Sequence, residues 1–148
     1  MSYHERRAIV SVLSNVLATG LYTAFMMQRY PQADAYAPEI FHFWGAFFLI
    51  LIPVSIVARV VVHIIFSILN TIATHEMEPA LTDERDKLIE LKAARIALYV
   101  FAIGTMLAMG TLVVGMPPAA MFAVLICAGV GSDMVSEIVQ FVLYRRGF

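Results

Sequence analysis

Six polar side chains stand in stretches that are otherwise apolar: Asn15, Arg59, His63, Asp133, Glu137 and Gln140. Their spacing is helical. Arg59 and His63 are i,i+4 apart, as are Asp133 and Glu137, and Ser11, Asn15, Thr19 and Tyr22 fall at i, i+4, i+8 and i+11. Each set therefore shares one helix face. Two carboxylates, a guanidinium and an imidazole on facing helices can do three kinds of chemistry. They can bond to one another as an interhelical network. They can line a cytoplasm-facing cavity for a small molecule or lipid headgroup. They can also pass protons or ions, as intramembrane Asp, Glu and His chains do.

All three depend on helices that lie in lipid, and the composition supplies them. Hydrophobic residues are 61% of the 148 and charged residues 14%, against roughly 45–50% and about 25% in soluble domains. Mean hydropathy is +0.81. The net charge of −1 carries little information, because in such a chain placement outweighs the sum. One cysteine, Cys127, inside an apolar run, allows no disulfide within a chain. Arg6 and Arg7 ahead of an apolar run superficially resemble a signal peptide. The run exceeds an h-region and no small-residue cleavage site follows, so it reads as a retained first span.

A span takes about 20 apolar residues, and four segments qualify, at about 8–28, 41–69, 94–115 and 119–144. The expected fold is a single all-α transmembrane domain, an antiparallel four-helix bundle. RYPQADAYAPE joins the first two spans, a charged segment at 70–93 the middle two, and MPP the last two, its prolines ending one helix and opening the next. Basic residues set the orientation. Arg6, Arg7, Arg85, Lys87, Lys92, Arg95, Arg145 and Arg146 fall on one side and Arg29 alone on the other, which predicts both termini and 70–93 in the cytoplasm. Counting inward from those ends places Asn15, Arg59, Asp133 and Glu137 at comparable depth, in the inner half of the bilayer. An unpaired charge there costs several kcal/mol, so Arg59 is expected within reach of Asp133 or Glu137.

The cytoplasmic segment gathers Asp83, Glu84, Arg85, Asp86, Lys87, Glu90 and Lys92, with Arg95 just beyond. Thr82 can cap a helix there, acidic residues fill its first turn, and nothing breaks the pattern before Ile96. The third span is thus expected to start near Thr82. Leu88, Ile89 and Leu91 give this extension an apolar edge. It serves either as a solvated helix that fixes topology or as a docking surface for a cytoplasmic protein, formed by Asp83, Glu84, Arg85, Asp86, Lys87, Lys92 and Arg95.

Other signals carry less. IVARVVVHIIF (56–66) overlays MVSEIVQFVLY (134–144) without gaps, a weak two-hairpin repeat that would be parallel. His42 and His63 lie 21 residues apart, roughly 30 Å along a helix, too far to share a metal or haem. The nine methionines lack the Cys and His clusters of a copper site and read as packing or lipid-facing residues. Tyr36, Phe41, Phe43 and Trp44 suggest an outer aromatic belt. Gly104 with Ala108, and Ala128 with Ser132 and Ser136, form small-residue strips that permit close contact within the bundle or across a dimer. No nucleophile–base set, phosphate loop or zinc spacing occurs, so neither an enzyme nor a cofactor is expected, and nucleic acid is not an expected partner.

DERDKLIELKAARIALY (83–99) and the ending LYRRGF (143–148) resemble a group of small uncharacterised prokaryotic integral membrane proteins. These carry DERD-x-LI-x-LK-x-x-R before the third of four spans and a YRRG-like C-terminus. Asp83, Glu84, Arg85, Asp86, Leu88, Ile89, Leu91, Lys92 and Arg95 match the first motif, and Tyr144, Arg145, Arg146 and Gly147 the second. The resemblance implies the topology and a bacterial inner-membrane setting. It implies no activity. The reading is a non-enzymatic sensor, scaffold or regulatory protein with a cytoplasmic docking helix at 82–95. The alternative is a small dimeric transporter or channel using the Arg, Asp, Glu and His layer.

Overall fold

A computed structural model describes residues 3–74 and 84–146. They form four α-helices: α1 (Tyr3–Met27), α2 (Pro38–Thr74), α3 (Glu84–Val113) and α4 (Pro118–Arg145), with no strand among the described residues. All four are long and apolar enough to cross a membrane. Their surfaces agree with that. Val113 is 88% exposed, Met106 75% and Leu49 74%, and such side chains recur along every helix. Apolar patches on that scale are an aggregation hazard in water and ordinary in lipid.

The second helix is longer than the 41–69 span read from the sequence. It starts at Pro38, where a missing N–H costs nothing, and continues for 37 residues with Pro53 inside. Interior proline is tolerated better in membrane helices than in soluble ones. Asn70–Thr74 therefore belong to α2 and Glu84–Ala93 to α3, so the expected 70–93 segment is mostly helix. Thr82 and Asp83 lie outside the described residues. Helix α3 is unbroken from Glu84 to Val113.

The α3–α4 turn owes as much to a glycine as to its prolines. Gly115 takes φ +82, a left-handed value that glycine adopts without strain. Gly115 N donates to Leu112 O at 3.0 Å and Met116 N to Thr111 O at 3.0 Å, the paired bonds of a Schellman helix end. Pro117 then caps α4 and Pro118 opens it.

Helix α3 packs along α4, α4 along α1, and α1 along α2. The α3–α4 seam uses the small residues: Ala93, Ala108, Ala128 and Ser132 are buried, and a Cβ on Gly104 would overlap the Ala128 methyl. Both small-residue strips are thus occupied inside the chain. At the other end of the bundle, Ile40, Trp44 and Phe47 of α2 are buried against Tyr22, Met26, Tyr30 and Phe122. Trp44 stacks on Phe122 at 5.2 Å and 16°, and Tyr22 Oη donates to Phe47 O at 2.8 Å. Trp44, 2% exposed, is therefore a packing residue of the bundle. Tyr36 and Phe41 do stand exposed.

Candidate functional site

Three helices meet at the polar layer. On α1, Ser11 and Asn15 are one turn apart, and on α4 so are Asp133 and Glu137, so the four form two rungs. Ser11 Oγ donates to Glu137 Oε1 at 2.7 Å. Asn15 Nδ2 donates to Asp133 Oδ2 at 2.9 Å. From α2, Arg59 Nη2 reaches the same Asp133 oxygen at 3.2 Å. The expectation that Arg59 meets one of the two carboxylates holds, and Asp133 is the one it meets.

The rungs and the ion pair differ in surroundings. Ser11, Asn15 and Glu137 are half-buried between α1 and α4. Arg59 and Asp133 side chains are 57% and 46% exposed, at the edge where α2 approaches α4. Two carboxylates face one guanidinium here. Chemically the cluster can hold helices in register, and its open edge can receive a polar or charged group.

His63 and Gln140 do not join this set. Both are half-buried, one turn beyond Arg59 and close to one turn beyond Glu137, and neither hydrogen-bonds to another described residue. Ser11 was legible as part of the α1 stripe, but its bond to Glu137 was not anticipated. The signal was present: i,i+4 pairs on two helices that pack side by side make a second rung wherever they make a first. Thr19 continues that stripe and is buried, 8% exposed.

The first turns of α3 form a second cluster. Ile89 and Ala93 are fully buried, which pins this part of the helix to the bundle. Glu84, Arg85, Lys87, Glu90, Lys92 and Arg95 are exposed, and Asp86 half-buried. Leu88 and Leu91 are 54% and 61% exposed. The apolar edge read from the sequence is thus divided: Ile89 faces inward, the two leucines outward among the charges. Asp83 of the same set lies outside the described residues. Among the described residues no three His, Cys, Asp or Glu side chains converge.

No protein-family model, curated protein or solved structure matches the chain.

Proposed function

We propose that this chain is a non-enzymatic, four-span protein of a bacterial inner membrane whose first turns of α3 dock a cytoplasmic protein. The observation that carries the docking reading is the division of α3 between Ile89 and Ala93, without exposed surface, and Leu88 and Leu91, more than half exposed. A helix held rigid on one face offers the other at little entropic cost. Leucines set among Arg85, Lys87 and Arg95 suit an apolar contact with a charged rim.

The antiparallel bundle belongs to this reading. It is supported by the order of the rungs, since the chain ascends from Ser11 to Asn15 as it descends from Glu137 to Asp133. Both termini are placed in the cytoplasm on the strength of the basic-residue bias, with Arg29 alone at the other end, over the Phe25 ring at 4.8 Å. The two-hairpin repeat fits the same arrangement, because α1 and α3 then both begin at a basic inner end. In this reading the polar layer is structural.

The test is photocrosslinking in intact cells from residues placed at Leu88 and Leu91, with Met106 as a lipid-facing control. We expect one protein adduct of defined mass at the first two sites, lost on R85E/K87E. Adducts to lipid alone would overturn the docking reading.

The exposure of Arg59 and Asp133, 57% and 46%, favours a second reading, a small dimeric transporter or channel. Charges open to this degree inside a bilayer require water or a polar guest. Under it, E137Q abolishes flux in liposomes and leaves the Leu88 and Leu91 adducts intact.

A further inference from the structure

Helices α2 and α4 are tied together by long side chains at two levels. Phe48 meets Phe122 with ring centres 6.0 Å apart, and Arg59 meets Asp133 at 3.2 Å. Eleven residues separate the two ties on each helix, about 16 Å at 1.5 Å per residue. Helix α2 packs along α1, and α4 along α1 and α3, but α2 and α4 do not pack along each other. The spacing inside this frame matches as well. Phe48, Ile52, Ser55 and Arg59 step by 4, 3 and 4, and so do Phe122, Ile126, Gly129 and Asp133, so each set shares one helix face. Ser55 thereby stands level with Gly129, where a Cβ would meet nothing within 4 Å. Ile52, at the side of the frame, is 63% exposed.

Helix α1 closes the back of this window. Its stripe meets α4 at Ser11 and Asn15 and α2 at Tyr22, with Thr19 between them. The ladder's next rung would pair Thr19 with Gly129, which has no side chain to give. Thr19 is 8% exposed, and its hydroxyl bonds to no described residue. Thr71, Thr105 and Thr111 return theirs to their own helix. The one unpartnered side-chain polar atom sealed within the described residues is Trp44 Nε1, so Thr19 Oγ1 opens on space. A buried hydroxyl without a partner is costly, and a guest that bonds to it removes the cost.

Charge decides what that guest carries. Two carboxylates face one guanidinium, and Asp133 Oδ1 and Glu137 Oε2 accept no bond from a described residue. The surplus is negative, and the far end of the frame is aromatic. Apolar walls with a few convergent polar groups are what small-molecule sites are built from. We propose that the window between α2 and α4 binds a primary ammonium on a small apolar body. The ammonium donates to Asp133 Oδ1 and Thr19 Oγ1. The body, one ring and a short chain, lies over Gly129 against Ile126 and Phe122. This rests on the second reading above, in which the Arg59–Asp133 edge admits a guest, and it names the substrate class.

The test measures binding of radiolabelled phenethylamine, a cation at neutral pH, to the full chain. Phosphatidylcholine nanodiscs are used because their headgroups carry no N–H. We expect saturable binding. E137Q, which removes the surplus charge and keeps the ion pair, should weaken it by about tenfold or more, and T19V by about fivefold. G129L should abolish it with helicity and melting temperature unchanged, because its side chain enters open space. Phenethyl alcohol, the same shape without the charge, should not compete. No saturable binding, an alcohol that competes as well as the amine, or an affinity unmoved by T19V or by a folded G129L would each overturn the proposal. Displacement by added phosphatidylethanolamine would give the site to a lipid headgroup and overturn it too. Flux is read separately in liposomes. Amine binding without flux would sink the transporter reading and leave the site standing. Sodium flux that E137Q abolishes, without amine binding, would do the reverse.

Discussion

Ser11 and Glu137, separated by 126 positions in the chain, meet at 2.7 Å. One turn further along both helices Asn15 meets Asp133 at 2.9 Å, so α1 and α4 are held by a repeating side-chain ladder and not by one contact. Interhelical hydrogen bonds in membranes contribute about 0.6 kcal/mol on average. S11A should therefore lower unfolding stability in mild detergent by about that much. N15A should cost less, because Asp133 keeps Arg59 as a partner, whereas S11A removes the one bond Glu137 makes to a described residue. Equal losses would mean that Arg59 contributes nothing to the carboxylate.

The ion pair is best tested as a cycle. Removing one partner strands the other charge, which costs about 3–5 kcal/mol when fully buried. Half-exposed, R59Q and D133N should each cost about 1–2 kcal/mol. The double substitution should recover most of that, and the coupling measured by reversible unfolding separates this pairing from independent losses. No recovery would show that Arg59 acts on something other than Asp133.

Glycines offer a contrast within one chain. A side chain at Gly104 has no room, since its Cβ would overlap Ala128, so G104A should cost about 1–3 kcal/mol through overpacking. Nothing lies within 4 Å of a Cβ at Gly20, Gly45 or Gly110, and alanine there should be neutral or raise stability by about 0.4–1 kcal/mol. G115A, also in open space, should still cost about 1–2 kcal/mol because of its positive φ. Thermal melts of the five variants decide the order.

Trp44 is the chain's one tryptophan, and its buried indole Nε1 finds no hydrogen-bond partner among the described residues. W44F should therefore lose packing but no hydrogen bond, a change of about 1 kcal/mol, whereas W44A should cost about 3–5 kcal/mol. Intrinsic fluorescence of the native protein reports this one site, and its emission should be blue-shifted and insensitive to aqueous quenchers. Ready quenching would place Trp44 at the membrane surface.

Helix number and the polar layer were legible because lipid is an unforgiving solvent. It demands long apolar runs, and it makes each exception conspicuous, so Asn15, Arg59, Asp133 and Glu137 stood out and their i,i+4 spacing gave their faces. What hydropathy leaves open is which apolar residues meet protein and which meet lipid, since both are greasy surroundings. Trp44 and Ile89 went inward for that reason, while Leu88 and Leu91 did not. His63 carries the same polar signal as Arg59, yet it is half-buried and hydrogen-bonds to no other described residue. Gly115 was hidden behind the two prolines beside it, although its φ ends α3.

The ladder also sets an order in time. Ribosomes deliver α1 first and α4 last, and among the described residues the partners of Asn15, Ser11 and Arg59 lie on α4. Under the four-span reading proposed above, the earlier helices would stand in the bilayer with their polar groups unanswered until the final one is threaded, a nascent form that insertases and proteases can recognise. A chain stopped at Met116 would keep three apolar spans yet lack both carboxylates, and its abundance in cells should fall far more than the loss of one helix suggests.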